Sequence, residues 1–104
     1  MWSWSPSRFS DSAEAKSRPA VVQSTRSFNR GGLSVMAMVT SARHSRMSGD
    51  IQIEAGTAGL PKDSVIRMKL FTLDNRLIRA KIGDLPYLVG ERLGAQIRSV
   101  LRLG

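Results

Sequence analysis

Apolar residues follow a strand-like pattern over most of the chain and a helix-like pattern only near its end. Residues 34–40 form an almost continuous apolar run, which is typical of a strand covered on both faces. Residues 50–54 alternate apolar and polar positions, which predicts a strand with one solvent-facing side. The same criteria predict further strands at residues 2–5, 19–23, 63–73 and 77–82.

Turn-forming and polar residues separate these strands. Pro6 is expected to end the first strand, and a serine-rich polar loop is expected to continue to Lys16. A turn is expected over residues 27–32, where a Gly-Gly pair permits positive φ angles. Polar loops are expected at 41–49 and 55–62 and a turn at 74–75.

The last fifth of the chain is predicted to be an amphipathic helix over residues 86–102. Asp84 is a suitable N-cap, and Pro86 is tolerated in the first turn of a helix. Five apolar residues recur at helical spacing and are expected to form the buried face: Val89, Leu93, Ile97, Val100 and Leu101. Five or six strands followed by one helix predict a mainly β fold, a strongly bent sheet or small barrel with a C-terminal helix laid against it.

Length and composition narrow the class of protein. The chain has 104 residues, so residues 1–104 are expected to form a single domain, and it has no cysteine and one histidine. A disulfide scaffold, a cysteine-based zinc site and a thiol nucleophile are therefore excluded. No segment resembles a membrane span or a signal peptide, so a cytoplasmic location is expected.

The net charge of +8 restricts the partners of this domain. The basic residues are spread evenly over both halves of the chain, so the charge belongs to the domain itself. Two partners fit such a surface, a nucleic-acid backbone or an acidic protein.

Arginine next to hydroxyl groups is the remaining source of chemistry, because no phosphate-binding glycine loop, metal-ligand cluster or nucleophile elbow is present. Arg18 precedes one predicted buried strand, and Thr40 ends another. A guanidinium and a hydroxyl together can hold a phosphate. The alternatives are a surface ion pair of Arg18 with Asp11 or Glu14, and a Thr40 present for its β-propensity.

Several short motifs, in their order and spacing, resemble those of the MazF/PemK family, toxins of type II toxin–antitoxin systems. The Gly-Leu-Pro-Lys-Asp-Ser-Val run is the most specific of them. The motifs are Arg18-Pro19-Ala20-Val21-Val22, Phe28-Asn29, Val39-Thr40-Ser41, Gly59-Leu60-Pro61-Lys62-Asp63-Ser64-Val65, Phe71-Thr72-Leu73-Asp74 and Ile82-Gly83-Asp84-Leu85. The resemblance implies an SH3-like β-barrel of the MazF/PemK/CcdB type, usually a homodimer. It also implies a sequence-specific endoribonuclease that needs no metal or cofactor and cleaves single-stranded mRNA through attack by the ribose 2′-OH.

The resemblance also assigns roles to individual residues. Arg18 and Thr40 match the catalytic arginine and threonine of the family. Five further residues are expected to bind RNA: Ser41, Arg43, Lys69, Thr72 and Asp74. Many members have an arginine where this chain has Phe71, and Lys69 is expected to compensate in part. The implied partners are single-stranded RNA, an acidic antitoxin and, through the toxin–antitoxin complex, operator DNA.

The N-terminus departs from the family pattern. The usual Gly-Asp and aliphatic residues are replaced by Trp2-Ser3-Trp4-Ser5, so a truncated or degraded first strand is expected at residues 1–8. This departure, together with Phe71, leaves open a catalytically decayed module that binds antitoxin or nucleic acid without cleavage. A toxin directed at DNA gyrase also stays open, because the related fold is shared.

Overall fold

A computed structural model of the protein describes residues 6–10, 17–43 and 46–102. These residues form one antiparallel sheet and a C-terminal helix. The strands are β1 (Pro6–Phe9), β2 (Arg18–Val22), β3 (Leu33–Ser41), β4 (Ile51–Ile53), β5 (Ser64–Asp74) and β6 (Ile78–Lys81). The helices are α1 (Arg26–Asn29) and α2 (Tyr87–Val100), with 3₁₀ turns at Thr57–Gly59 and Asn75–Leu77.

The strands lie in the order β4-β5-β3-β2-β1-β6. The sheet is strongly bent, because the ring of Phe9 on β1 lies 5.0 Å from that of Phe71 on β5, although β2 and β3 separate these strands in the sheet. Within the described residues, β4 and β6 do not pair with each other, so hydrogen bonds do not close the sheet into a barrel. The predicted mainly β fold with a C-terminal helix is confirmed.

Both faces of the central strands are buried. Met36 and Ala37 are adjacent on β3 and point to opposite faces, yet neither is accessible to solvent. Ala37 belongs to a core that includes Leu93 of α2, and Met36 belongs to a second core with Phe9. The continuous apolar run in the sequence therefore does mark a strand covered on both sides.

Helix α2 uses a narrower apolar face than the sequence predicts. Leu93 is fully buried and Val89 and Ile97 pack against the core, but Val100 and Leu101 are 50% and 42% exposed. These two residues continue the apolar face of the helix at its end without being covered by the sheet, because the helix ends at Val100. No helix in the described part of the chain is long and apolar enough to cross a membrane.

The start of α2 also differs from the prediction. Pro86, not Asp84, is the N-cap, and no side-chain hydrogen bond caps the helix. The Pro86 carbonyl accepts the first helical hydrogen bond, from the Gly90 N–H at 3.0 Å. Asp84 instead forms an ion pair with Lys81 at 2.9 Å.

Residues 6–9 form a strand where the sequence predicts a loop. Strand β1 begins at Pro6, so the expected loop is wrong for residues 6–9, and the predicted strand at 2–5 lies outside the described residues. Proline is tolerated at the first residue of a strand, where a missing N–H costs little. That residues 1–104 form a single domain with an altered segment at 1–8 stays a prediction.

The turn predicted over residues 27–32 contains one turn of helix, α1. The Thr25 hydroxyl accepts a hydrogen bond from the Phe28 N–H at 3.2 Å, which caps this helix and explains why it forms.

Leu93→Ala is expected to lower the free energy of unfolding by about 2–5 kcal/mol, because it leaves a cavity between α2 and the sheet. Urea denaturation followed by circular dichroism measures this loss. Val100→Ala on the same helix serves as control and should change stability by less than about 0.5 kcal/mol. Equal losses in both variants would show that α2 does not dock through Leu93.

Candidate active-site cleft

Strand register brings Arg18 and Thr40 to the same end of the sheet. The β2–β3 ladder pairs Ala20 with Met38 and ends there. Pro19 cannot donate a hydrogen bond, which explains why the ladder stops before Arg18. If this register continued for two more residues beyond Ala20 and Met38, Arg18 would lie across from Thr40. The two strands separate at this point.

A cleft of about 370 Å³ opens at this point, and Arg18 and Thr40 both line it. Its other polar lining residues are Arg8, Ser41, Lys62 and Ser64, and its apolar lining residues are Phe9, Pro19, Met38, Val39, Leu60 and Pro61. Among the described residues that line the cleft, three side chains carry positive charge and none is a carboxylate. This lining makes the cleft a candidate anion-binding site, with hydroxyl groups beside the cations.

The two predicted catalytic side chains are available to a ligand. Arg18 is exposed and Thr40 is half-buried. Within the described ranges, no hydrogen bond or ion pair engages either side chain. The acidic partners considered for Arg18, Asp11 and Glu14, lie outside the described residues. Over the same ranges, no group of three or more His, Cys, Asp or Glu could hold a metal ion.

A close backbone contact between two glycine segments lies directly before the part of the cleft wall that begins at Leu60. Gly59 has a φ of +77°, and a Cβ added there would collide with the Ile82 carbonyl oxygen. A Cβ on Gly83 would lie 2.6 Å from the Ala58 carbonyl oxygen. The contact holds the segment that continues into Leu60, which is buried, and so positions the cleft wall.

Asp63 ties this wall to the end of β3. Its carboxylate accepts a hydrogen bond from the Ala55 N–H at 2.8 Å, and its carbonyl accepts one from the Ala42 N–H at 3.0 Å. These bonds place Lys62 next to Ser41. The Ser64 hydroxyl donates to the Lys62 carbonyl at 2.9 Å, which fixes the backbone at the same point.

Two neighbouring depressions share residues with the cleft. The first, which we call the basic depression, is lined by Ser41, Ala42, Arg43, Ala55, Lys62 and Asp63. The second, which we call the methionine pocket, is lined by Met38, Met47, Ser48, Arg67, Met68 and Lys69. Ser41 and Lys62 connect the cleft to the basic depression, and Met38 connects it to the methionine pocket.

The structure distributes the predicted RNA-binding residues unevenly. Ser41 lines the cleft, Arg43 the basic depression and Lys69 the methionine pocket. Thr72 and Asp74 lie near the other end of β5, on the order of 25 Å along the strand from Ser64. Asp74 caps a 3₁₀ turn and pairs with Arg76 at 3.0 Å. A role for Thr72 and Asp74 in RNA binding stays a prediction, outside this cleft.

Three polar residues of the cleft lining were not predicted from the sequence: Arg8, Lys62 and Ser64. Lys62 and Ser64 belong to the most specific motif, which was available as a signal. Arg8 was missed because Pro6 was interpreted as the end of a strand, whereas β1 pairs Arg8 with Pro19 and Phe9 with Arg18.

One ion pair braces the methionine pocket. Arg67 contacts Asp50 through two hydrogen bonds of 2.9 and 3.2 Å, and the Asp50 side chain is only 5% exposed. The hydrogen bonds from Arg67 hold the pKa of Asp50 below its ordinary value, although burial opposes this, and the Met47 N–H lowers it further. The bidentate geometry fixes Arg67 against the turn that precedes β4.

Fold and cleft together define a small bent antiparallel sheet that carries a cleft lined by basic and hydroxyl side chains at its strand ends. A sequence model of the PemK-like, MazF-like toxins of type II toxin–antitoxin systems matches residues 2–101, so the chain belongs to this family. No curated protein sequence matches the chain.

Solved structures share the fold at low sequence identity. MazE–MazF from Deinococcus radiodurans is similar, with a TM-score of 0.78 and 24% identity over 96% of this chain and 93% of that one. A mycobacterial endoribonuclease in complex with its cognate antitoxin has a TM-score of 0.76 and 14% identity over the same shares. The Mycobacterium tuberculosis toxin MazF-mt6 has a TM-score of 0.70 and 21% identity over 90% of this chain and 93% of that one.

Gly59→Ala is expected to destabilise the protein more than Gly56→Ala. Both glycines have positive φ, but a Cβ on Gly56 meets nothing within 4 Å. The Gly56 variant should therefore lose about 1–2 kcal/mol from backbone strain alone. The Gly59 variant should lose about 1–3 kcal/mol more, because the Ile82 backbone has to move. Equal losses in urea denaturation would show that the close contact does not constrain the fold.

The stabilisation by Asp50 is expected to depend on pH. Its pKa is lowered in the folded state, so its contribution is present above the ordinary value of 3.8 and is lost as the pH falls through the folded value. Asp50→Asn should therefore be less stable than the unsubstituted protein at about pH 7, and the difference should shrink toward about pH 3. Denaturation at both pH values measures the difference. A difference independent of pH would contradict the assigned charge pairing.

Proposed function

We propose that this protein is an endoribonuclease toxin that cleaves single-stranded RNA without a metal ion, with the cleft as its active site. The observation that carries the proposal is that Arg18 and Thr40 line one cleft whose other charged residues, Arg8 and Lys62, are both cationic. Membership of the toxin family and the RNA-cleaving relative with the same fold support it.

The proposed reaction is an internal transfer at phosphorus. The ribose 2′-oxygen forms a bond to the adjacent phosphorus and loses its proton, and the bond from phosphorus to the 5′-oxygen breaks. The 5′-oxygen takes up a proton, so the products are a 2′,3′-cyclic phosphate and a 5′-hydroxyl. The nucleophile belongs to the substrate, so the protein has to orient the strand, move protons and stabilise charge.

Arg18 and Thr40 have distinct proposed roles in this step. The Arg18 guanidinium donates to the non-bridging phosphate oxygens, stabilises the charge that develops on them and takes part in proton transfer. The Thr40 hydroxyl hydrogen-bonds the scissile phosphate and holds it in place. Neither side chain has to release a partner among the described residues before it binds an anion.

RNA binding is proposed to extend from the cleft into the basic depression. Ser41 and Lys62 line both, and Arg43 adds a positive charge beyond them. A continuous path of this kind suits a strand with one phosphate per nucleotide, and binding should weaken as salt concentration rises. Lys69, Thr72 and Asp74 are proposed further contacts to RNA.

The proposed protein partner is an acidic antitoxin. The charge of +8 favours an acidic segment, and two of the structures with this fold are toxin–antitoxin complexes. Operator DNA is proposed to bind only through that complex. A homodimer is also proposed, because large apolar side chains such as Tyr87 and Leu88 are exposed at the start of α2. An mRNA substrate would place the protein in the cytoplasm.

Arg18→Ala is expected to reduce RNA cleavage about a hundred- to a thousandfold, because it removes a donor to the developing charge. The measurement incubates a long single-stranded RNA with protein in EDTA and maps new 5′-hydroxyl ends. Arg26→Ala is the control, because Arg26 is an exposed arginine of α1 that does not line the cleft. It should cleave like the unsubstituted protein.

Other results of these measurements would distinguish the proposed function from the two alternatives. Undiminished cleavage by Arg18→Ala would refute the site assignment. Absence of cleavage by folded, unsubstituted protein that still binds antitoxin would favour the decayed binding module. Inhibition of DNA supercoiling without loss of RNA would favour a toxin directed at gyrase.

A further inference from the structure

A bulge in β5 lies directly beside the cleft. The β3–β5 ladder pairs Ala37 with Leu70 and Val39 with Ile66. Between these pairs, Met38 alone on β3 faces the segment Arg67-Met68-Lys69 on β5. Such bulges bend a strand and redirect its side chains, and they are frequent next to active sites.

The bulge and the turn before β4 together form the methionine pocket, with a volume of about 500 Å³. Thioether side chains from Met38, Met47 and Met68 supply apolar walls. Lys69 is exposed at the rim and supplies positive charge there. The pocket therefore combines a polarizable, apolar interior with a hydrogen-bond donor at its edge.

Contacts around the pocket fix its walls. The buried Asp50 carboxylate holds Arg67 of the bulge and also accepts a hydrogen bond from the Met47 N–H at 2.9 Å. The preceding residue, Gly49, has a φ of +90°, and a Cβ there would lie 3.2 Å from Met68. The backbone of the turn is therefore packed directly onto the bulge, whereas the Met47 side chain is 59% exposed at the pocket.

Continuity with the cleft indicates what the pocket binds. Met38 lines both spaces, and Thr40 lies two residues further along the same strand, about 7 Å away. A single nucleotide bridges such a distance, with its phosphate at Thr40 and its base beyond Met38. The flat, polarizable face of a nucleobase suits thioether walls, since sulfur packs favourably against aromatic rings.

The rim favours one kind of base. The Lys69 ammonium has three donors and no acceptor, so it hydrogen-bonds carbonyl oxygens and repels amino groups. Guanine and uracil present such an oxygen where adenine and cytosine present an amino group.

We propose that the methionine pocket binds the base of a nucleotide next to the scissile phosphate, and that Lys69 selects guanine or uracil there. This assignment rests on the proposed function of the cleft, because it takes the substrate to be a strand whose phosphate lies at Arg18 and Thr40. It makes Lys69 a determinant of the sequence that is cleaved.

Two measurements on the same proteins test the proposal. In the first, RNA of random sequence is cleaved and the bases around each cut are counted. In the second, fluorescein-labelled pentamers made only of 2′-deoxynucleotides are titrated with protein and followed by anisotropy, with each position varied in turn. These pentamers lack the 2′-OH, so the second measurement reports binding without cleavage.

The variants are Lys69→Glu, Met47→Ala and the charge-matched control Arg92→Glu, whose residue lies exposed on α2 and lines none of the three spaces. The unsubstituted protein should prefer guanine or uracil about fivefold or more at one position next to the cut. Lys69→Glu should abolish or reverse this preference, because a carboxylate accepts from amino groups. Met47→Ala should weaken binding of all pentamers severalfold, and Arg92→Glu should keep the preference.

The two measurements distinguish failure of this proposal from failure of the proposed function. Cleavage without a preference for guanine or uracil, or a preference that Lys69→Glu leaves unchanged, overturns the pocket assignment alone. Base-selective binding without cleavage of RNA supports the pocket and overturns the enzymatic function. Absence of both binding and cleavage overturns both, and would leave an apolar protein segment as the occupant to examine.

Discussion

Met36 and Ala37 of β3 are both inaccessible to solvent although they face opposite sides of the sheet, so this strand can fold only where both of its faces are covered. Helix α2 covers one face, and the bent sheet itself covers the other by bringing Phe9 against Phe71. The rest of the molecule depends on this double burial, because it fixes the register of β2 and β5 on either side of β3. The ends of those strands then determine where Arg18, Thr40 and Lys62 meet.

Two arginines illustrate the difference between a charge that is paired within the fold and a charge that remains available to a ligand. Arg67 is largely buried and held by Asp50, so its charge stabilises a turn. Arg18 is exposed at a strand end, and none of the described acidic residues pairs with it. Unpaired cations at Arg8, Arg18 and Lys62 repel one another in one cleft, a cost that an anionic ligand removes on binding.

Local pattern was sufficient to predict the long strands and the body of the helix. It also marked Arg18 and Thr40 as candidates at strand ends, and the resemblance to the toxin family supplied their predicted roles. A strand buried on both faces requires apolar residues at successive positions, and β3 has such a run. The run ends at Thr40, whose hydroxyl lines the cleft. The pattern failed where the deciding contact is distant in sequence. Pro6 resembles the end of a strand, and only its pairing with β2 shows that a strand begins there. Because this strand was not predicted, Arg8 was not recognised as a residue of the cleft.

Contacts between residues that are distant in the sequence also explain the other differences between prediction and structure, in α2 and in the cleft. Val100 has helical spacing with Leu93, but the sheet does not extend far enough to cover it. Lys62 belongs to a sequence motif that begins at Gly59. The structural role of this motif depends on the contact between Gly59 and the Ile82 backbone, which the sequence alone does not reveal. The bulge at Met68 leaves no signal in the apolar periodicity, because it arises from the pairing of β5 with β3.

Two backbone features lie beside the cleft, the contact between glycine segments that precedes Leu60 and the bulge in β5 that faces Met38. Apart from the glycines at the contact, backbone features of this kind require few particular side chains. This agrees with a TM-score of 0.76 to a structure of 14% sequence identity, which shows the fold and nothing about the substrate. Lys62 and Lys69 project near these features and are exposed, so packing of the core does not fix their identity. Differences in the RNA sequence recognised would therefore be expected at Lys62, Lys69 and the methionines, and the cleft between them would retain the phosphate chemistry.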